Sequence, residues 1–494
     1  MCNSSLKHPI LSLYKSLFKQ TLIYGMATVL PRMISFLLNP LYTEVLPKQE
    51  FADVSIVFAY LVFFNVVLSY GMETAFFRFY NLEQNKKNVT STTTISIFWT
   101  TIAFLFVSLV FRNTLAEWSS IKVHYITYTI WILALDALVI IPFSKLRADK
   151  KPMLYAVLKI GNVTINLVLN LFFLLVLPKI ATNSDSFFNT IYFENFQVGY
   201  IFISNLIASL LTFVVLSPNY FKIHWHLDFA LWKKMMQYGL PILIAGIGFA
   251  INEHFDKILL DWFRVSKSDI GAYSACYKIG MFMVLFRTAY TLGIEPFFFS
   301  HANNENAPQT YATITKYFVI TGSFILLFVI VFIDILKRAL VPNSDYWDAI
   351  KVVPLIILAN FFLGIYTNLS VWYKLIDKTK IGAYISIFGA VITLFLNYLL
   401  IPKFSYYGSA IATISAYGSM MGISYYLGQK KYPIPYEIDK IGTYLGIAIL
   451  LSGLSFYVPI FRHSYIFGIF ALIIFGYYIY RNEKQVLLRI LKRN

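Results

Sequence analysis

Apolar runs long enough to cross a bilayer alternate with short polar breaks along the whole chain. About 20 mostly apolar residues suffice for a transmembrane helix. The predicted spans are 20–42, 52–72, 92–111, 123–143, 154–178, 196–216, 236–260, 270–299, 313–335, 350–372, 379–401, 405–427, 440–460 and 463–480. All are predicted as helices, because an open sheet edge in lipid leaves backbone groups without hydrogen-bond partners. The pattern predicts an all-α integral membrane protein with about 14 transmembrane helices.

Lysine and arginine are concentrated in every second polar break along the chain. With the N-terminus inside, 25 of them fall in inner segments and 12 in outer segments. Cytoplasmic loops carry such an excess, so both termini are predicted to be cytoplasmic. The net charge of +17 is spread in short groups between apolar runs, which argues against a nucleic-acid partner.

Composition excludes a water-soluble fold, since 58% of the residues are hydrophobic and only 13% are charged. A soluble domain carries about a quarter charged residues. The polar breaks are too short for an independent catalytic domain, and no Walker A, GxSxG or HExxH motif occurs. Cys2 and Cys276 form no paired motif, and His224 and His226 alone make a weak metal site. We expect a protein that is not an enzyme and has neither metal nor cofactor.

An internal repeat relates the two halves of the chain. The segment YGMATVLPRMISFLLNPLYTEVL from Tyr24 matches YGLPILIAGIGFAINEHFDKILL from Tyr238 in placement. The repeat predicts two six-helix lobes, as in transporters with parallel repeats. The predicted domains are 1–228 with helices 1–6, 229–428 with helices 7–12, and 429–494 with helices 13–14 and a basic tail.

Cations inside the spans are the first candidate binding groups, because a charge at a helix centre costs several kcal/mol. Arg32, Lys278 and Arg287 lie deep in their spans. Three such cations favour a water-filled cavity for an anionic ligand, such as a phosphate or pyrophosphate. Arg78 and Lys159 lie nearer to span ends, where they either line the cavity or pair structurally and reach the interface.

Acidic residues in the spans are candidates for gating or proton coupling. Asp136 in WILALDALVII is either a proton carrier or a paired structural carboxylate, and Glu295 lies about two turns beyond Arg287. In AINEHFDKILL, Glu253 and Asp256 are interpreted as gate or proton-coupling groups at a polar outer mouth. The alternative is an intrahelical ion pair of Glu253 with Lys257 at i, i+4.

Several segments resemble bacterial polysaccharide (O-unit) flippases of the multidrug/oligosaccharidyl-lipid/polysaccharide exporter superfamily. The first is YGMATVLPRMISFLLNPLYTEVLPKQEFADVS. Others are GMETAFFRFY, KLRADKKPMLY, IPKFSYYGSAIATISAYG and KYPIPYEIDK. The resemblance extends over nearly the whole chain, and the order and spacing of the segments carry it.

The resemblance implies two lobes around a central cavity and alternating access. It implies transfer of an undecaprenyl-pyrophosphate-linked oligosaccharide from the inner to the outer leaflet of the bacterial cytoplasmic membrane, for surface polysaccharide biosynthesis. The implied partners are the lipid-linked oligosaccharide, the bilayer and a polysaccharide polymerase machinery. The alternatives are a lipid II flippase for peptidoglycan, a drug/cation antiporter of the MATE type, and a membrane-bound polysaccharide polymerase or ligase.

Overall fold

The computed structural model describes residues 25–27, 29–34, 36–181, 187–302 and 304–491. These residues form helices, and no strand occurs among them. Contacts divide the chain into two compact units, Met1–Gly271 and Ala272–Asn494. The predicted lobe boundary after residue 228 follows the sequence repeat and stays a prediction.

Within the described residues, the first unit contains the helices α1 to α13 and the start of α14. Its helix α1 comprises residues 25–27, 29–34 and 36–45. The others are α2 (Lys48–Ser69), α3 (Met72–Leu82), α4 (Lys86–Val110), α5 (Arg112–Ser119), α6 (Val123–Leu138), α7 (Ile140–Ala148), α8 (Pro152–Leu171) with a π-helical extension (Phe172–Val176), α9 (Leu177–Ile180), α10 (Phe187–Ile191), α11 (Gln197–Leu216), α12 (Pro218–Phe221) and α13 (Phe229–Trp262).

The second unit begins within α14 (Lys267–Ser300). It continues with α15 (Ala307–Val331), α16 (Ile333–Leu340), a 3₁₀ helix (Ser344–Val352), α17 (Val353–Leu369), α18 (Val371–Leu375), α19 (Lys380–Phe404), α20 (Tyr406–Lys431), α21 (Ile438–Tyr457), α22 (Pro459–Arg462) and α23 (Tyr465–Leu491).

Eleven spans among the described residues are long and apolar enough to cross a membrane. They are Lys48–Leu82, Lys86–Val110, Val123–Ala148, Pro152–Ile180, Gln197–Phe221, Phe229–Trp262, Ala307–Val331, Ser344–Leu375, Lys380–Phe404, Ile438–Tyr457 and Tyr465–Lys484. The prediction of an all-α, multi-pass membrane protein is confirmed. The count of fourteen spans stays a prediction, since it also needs α1, α14 and α20.

Helix α13 packs within the first unit against α2, α3 and α4. Phe76 of α3, Ile97 of α4, Ile141 of α7 and Met235 of α13 share one buried cluster. The side chain of Asp228 caps α13 by accepting from the backbone N–H of Leu231 at 2.9 Å, which satisfies one of the free donors at the helix start. Close packing therefore holds in place the half of α13 that is predicted to lie nearer the cytoplasm.

The break between α2 and α3 brings two backbones into contact. Gly71 adopts a φ of +74°, in the left-handed region where a side chain is unfavourable. A Cβ on Gly71 would lie 2.2 Å from the carbonyl oxygen of Gly239 in α13. The predicted span 52–72 thus ends at a true break, although the chain continues as helix through Leu82.

In the second unit, α17 packs against α20 and α15, and α15 also contacts α21 and α23. Lys316 of α15 binds Glu437 at 2.8 Å and the buried Glu483 of α23 at 3.3 Å. Tyr317 and Tyr444 donate to the same Glu483 carboxylate at 3.0 and 3.3 Å. We call these five residues the Lys316 clamp. It ties the two C-terminal helices to α15.

Candidate functional site

Asp136 is held among neutral hydrogen-bond donors from neighbouring helices of the first unit. It lies on α6 and accepts from Ser209 of α11 at 2.8 Å, and Asn65 of α2 lies beside it. Lys159 of α8 interacts with its charge but makes no direct ion pair with it in the described part of the chain. The Lys159 ammonium instead lies 4.4 Å from the centre of the Phe143 ring. The predicted residues Asp136 and Lys159 therefore belong to one polar site.

A stripe of asparagines continues from this site along α8. Asn162 donates to Thr212 at 3.0 Å, and Asn170 donates to Asn166 at 2.8 Å. The hydroxyl of Tyr42 donates to the buried Asn170 at 3.0 Å. From Lys159 to Asn170 the stripe rises about 16 Å. We call Asp136, Lys159 and this stripe the polar track of the first unit.

The polar track contains residues that the sequence interpretation missed. Asn162, Asn166 and Asn170 are spaced four apart, which places them on one face of a helix. That spacing was visible in the sequence as INLVLNL preceded by GNVT. Asn65 and Ser209 had no such signal, because their role depends on long-range helix packing.

Arg32 and Arg78 also belong to the first unit, and both are exposed. The Arg78 guanidinium lies 4.3 Å from the centre of the Tyr238 ring, a cation–π geometry. The neighbouring Glu73 pairs with Arg147 at 3.0 Å. Arg78 is thus placed against α13 by an aromatic contact.

The acidic residues of AINEHFDKILL lie on α13. Lys257 donates to both carboxylate oxygens of Asp256 at 3.0 Å, and both side chains are buried. The Glu253 carboxylate lies 3.7 Å from Nε2 of His254. Lys257 thus pairs with its sequence neighbour Asp256, and Glu253 stays a proposed gate or coupling group.

Lys278 and Arg287 lie on α14 of the second unit. Nine residues separate them, about 2.5 helical turns, so their side chains leave opposite faces of the helix. Arg287 is 8% exposed, and its Cγ lies 3.7 Å from where a Cβ on Gly364 of α17 would stand. Lys278 is half-buried. A cavity on one side of α14 therefore receives only one of these cations directly.

Glu295, farther along α14, forms an ion pair with Lys374 of α18. Tyr290 donates to Asn368 beside it, and these four residues line one small pocket. Lys374 was counted as a loop charge from the sequence, so its pairing with Glu295 was not anticipated. Among the described residues, no three His, Cys, Asp or Glu side chains are grouped as a metal site requires.

Three solved structures of known transporters share this fold. One, described as the lipid II flippase MurJ in an inward closed conformation, is 16% identical with a TM-score of 0.69 and covers 93% of this chain and 99% of its own. An inward-facing multidrug resistance MATE family transporter of the MOP superfamily is 12% identical with a TM-score of 0.64, covering 83% and 94%. A MOP superfamily transporter from Pyrococcus furiosus, described as having a binding pocket of reverse polarity, is 13% identical with a TM-score of 0.60, covering 83% and 95%.

Comparison with protein families agrees with the motifs. A model described as MatE matches residues 235–399. No curated protein matches the chain by sequence. The model for polysaccharide biosynthesis proteins matches residues 17–300, which include the first three motif segments and more than half of the chain. The resemblance to the flippases of this superfamily is confirmed, and the chain belongs to the polysaccharide biosynthesis protein family.

Proposed function

We propose that the protein transfers an undecaprenyl-pyrophosphate-linked oligosaccharide from the inner to the outer leaflet of the bacterial cytoplasmic membrane. The observation that carries the proposal is the family match over residues 17–300 on a fold shared with a lipid II flippase. Alternating access of two lobes moves the sugar and pyrophosphate, while the lipid tail stays in the bilayer. Both termini are cytoplasmic, and polysaccharide polymerase machinery takes up the product.

Cations within the spans support a pyrophosphate-bearing substrate. Arg287 is buried inside the second unit, where a guanidinium is retained only if it is paired or serves a ligand. We assign Arg287, Lys278 and Arg32 to binding of the anionic group, with Lys159 and Arg78 as further cations. Because Lys278 and Arg287 leave α14 on opposite faces, they act on the substrate in different steps.

Asp136 is the acidic group best suited to proton coupling. Its partners Ser209 and Asn65 are neutral, so a change in its charge leaves no directly paired cation behind. Glu295 is bound by Lys374 and Asp256 by Lys257, so protonating either carboxylate would leave a directly paired cation behind. We propose that Asp136 carries the coupling proton, while Glu253, Asp256 and Glu295 act in gating.

A lipid II flippase is the second candidate function. The match to the lipid II flippase structure covers 93% of this chain, whereas the match to the multidrug transporter structure covers 83%. Both candidate substrates carry a pyrophosphate, so the charge argument does not separate them. Depletion of the gene separates them, because a lipid II flippase is needed for growth and a surface-polysaccharide flippase is not.

A drug/cation antiporter is the third alternative, favoured by the MatE match over residues 235–399. A cationic substrate requires an acidic cavity. The buried Arg287 and the half-buried Lys278 within α14 argue for an anionic substrate instead. Drug resistance conferred by the protein in a sensitive strain would overturn this argument.

The decisive experiment measures flipping by purified protein in proteoliposomes. The probe is a fluorescent undecaprenyl-pyrophosphate oligosaccharide, and a membrane-impermeant quencher reports the leaflet. Arg287→Gln is expected to reduce the rate at least about tenfold, since a charged hydrogen bond contributes about 1.5–3 kcal/mol. The matched control is Arg338→Gln, which changes an exposed arginine of α16 and should keep the wild-type rate.

Two further variants keep the experiment informative. Arg287→Lys preserves the charge and serves if the glutamine variant does not fold. Asp136→Asn keeps the shape of the side chain but cannot release a proton, so it should abolish the pH dependence of flipping. Absence of flipping by wild-type protein would overturn the proposed function. Normal flipping by Arg287→Gln would overturn the role of Arg287 alone.

A further inference from the structure

A basic cleft lies at the end of the first unit that the charge bias predicts as cytoplasmic. Lysines from α4, from α7 and from the segment after α12 converge on it, although up to 136 residues separate them in sequence. The cleft has a volume of about 130 Å³. Its described lining residues are Tyr80, Lys86, Lys87, Thr90, Ser91, Lys145, Lys222, Ile223 and His224. None of these is acidic. We call this feature the basic cleft.

Its four lysines lack direct neutralising partners. No ion pair involves Lys86, Lys87, Lys145 or Lys222 among the residues that the structure describes. Lys86 lies 5.2 Å from the centre of the Tyr80 ring, a contact that leaves its charge in place. Like charges brought together repel, and an anion in their midst relieves that repulsion. The cleft is therefore complementary to a compact anion of more than one charge or several oxygens.

The remaining lining groups add hydrogen-bond donors of the kind that phosphate oxygens accept. Ser91 contributes a hydroxyl from the start of α4, and His224 contributes an imidazole. The Thr90 hydroxyl beside them donates to the backbone oxygen of Lys86 at 2.9 Å. The 25-residue helix α4 begins at Lys86, so the positive end of its dipole lies at the same place. Lysine ammonium groups and hydroxyls together are a donor set for phosphate.

Exposed aromatic residues place the cleft at the depth of lipid headgroups. Phe221, immediately before Lys222, is 86% exposed, and Trp225, immediately after His224, is 53% exposed. Large aromatic side chains at span ends mark the membrane interface. Lys222, which lies between them, is therefore placed where phosphates of the inner leaflet are present at high density.

We propose that the basic cleft is a binding site for the phosphate group of an anionic phospholipid headgroup. Lys87 and Lys222 approach the phosphate from opposite sides, the Ser91 hydroxyl donates to one of its oxygens, and Phe221 and Trp225 contact the acyl region. The site lies at a span end, apart from the predicted cations deep within the spans. It does not depend on the transported substrate, so it stands or falls independently of the proposed function.

The test measures lipid binding by the full-length protein in detergent. Short-chain phosphatidylglycerol is titrated against wild type and against the double variant Lys87→Gln/Lys222→Gln. The double variant should raise the dissociation constant about thirtyfold, since each lysine contributes about a factor of five near an anionic surface. Phosphatidylcholine, which is neutral overall, should bind far more weakly to wild type.

The matched control is Lys430→Gln/Lys431→Gln. These two lysines are exposed at the end of α20, on the same predicted membrane face, and Lys430 lies 4.3 Å from the Tyr426 ring much as Lys86 lies over Tyr80. The control removes the same charge and should change affinity less than about twofold. Flipping is not measured, so failure of transport does not affect the result.

Three outcomes would overturn the proposal. Equal loss of binding in both double variants would show general charge attraction without a site. Unchanged binding in the cleft variant would show that the lysines do not contact the lipid. Displacement of the lipid by equimolar inorganic pyrophosphate would show that the cleft serves a soluble phosphate rather than a headgroup. Each variant is first checked for an unchanged unfolding temperature in the absence of lipid.

Discussion

The polar track of the first unit and the Lys316 clamp of the second unit hold buried acids in different ways. Asp136 accepts from the neutral Ser209, with Lys159 nearby but not in contact. Glu483 in the clamp is bound directly by a lysine and by two tyrosines. A direct pair fixes both charges, because losing either partner leaves the other unpaired in a low dielectric.

The difference lies in what protonation would leave behind. Protonating Glu483 would leave the Lys316 ammonium without one of its partners, whereas Asp136 has no directly paired cation to leave in the described part of the chain. The clamp joins three helices and serves to keep the C-terminal helices in place. The polar track joins helices through hydrogen bonds of neutral groups, such as Ser209 with Asp136 and Asn162 with Thr212. Buried charge alone is therefore a poor guide to function, and the chemistry of the partners is the better one.

The largest expected effect is loss of the clamp. Lys316→Met leaves the buried Glu483 without its cation, which should lower the free energy of unfolding by about 3 kcal/mol. Denaturant titration of the detergent-solubilised protein measures it. Lys440→Met is the control, because Lys440 also pairs with Glu437 but is 54% exposed, and such surface pairs contribute less than about 1 kcal/mol. Equal effects of the two substitutions would contradict the assignment of the clamp.

Ser209→Ala should have the next largest effect. It removes a hydrogen bond to the Asp136 carboxylate, a loss of about 2 kcal/mol for a charged acceptor. The control Ser204→Ala lies on the same helix and is equally buried, but its hydroxyl donates to the backbone oxygen of Tyr200. Its loss should cost less than about 1 kcal/mol. If both variants unfold alike, Asp136 is not charged in the resting protein.

The ion pair of Glu295 with Lys374 should contribute little. Glu295 is 42% exposed and Lys374 29%, so solvent screens the attraction. A double-mutant cycle with Glu295→Gln and Lys374→Met should give a coupling energy below about 1 kcal/mol. A coupling energy of several kcal/mol would show that this ion pair behaves like the buried Lys316 clamp and not like a surface pair.

The smallest effect concerns pH. Hydrogen bonds from Lys316 and Lys440 hold the pKa of Glu437 below its ordinary value. Its contribution to stability is therefore fully present above the ordinary glutamate pKa of about 4.3, and it is lost as the pH falls through the lower folded value. The unfolding temperature should fall over that interval, and Glu437→Gln should flatten the fall. An identical profile in the variant would show that other carboxylates account for it.

Hydrophobic periodicity was sufficient to predict the helical membrane fold, because lipid allows few other backbone arrangements. Ion pairs between residues far apart in the sequence could not be predicted. Lys316 and Glu483, for example, meet only after eight intervening helical segments have packed. In AINEHFDKILL, the spacing allowed an i, i+4 pair of Glu253 with Lys257 as the alternative to a gate, and the structure pairs Lys257 with its sequence neighbour Asp256. Spacing limits which side chains can meet, but the surrounding helices select the rotamer. The asparagines of α8 were recognisable from their spacing.

The contact of Gly71 with Gly239 bears on how α13 can move. Two helices that interlock through side chains must repack those side chains before either one tilts. At this contact backbone meets backbone, with no rotamers to exchange. Pro241, two residues farther along α13, removes one helical hydrogen bond and loosens the same turn. The pair thus gives α13 a point of close backbone approach with a loosened turn immediately beyond it, between the capped start of the helix and the part that carries Glu253 and Asp256.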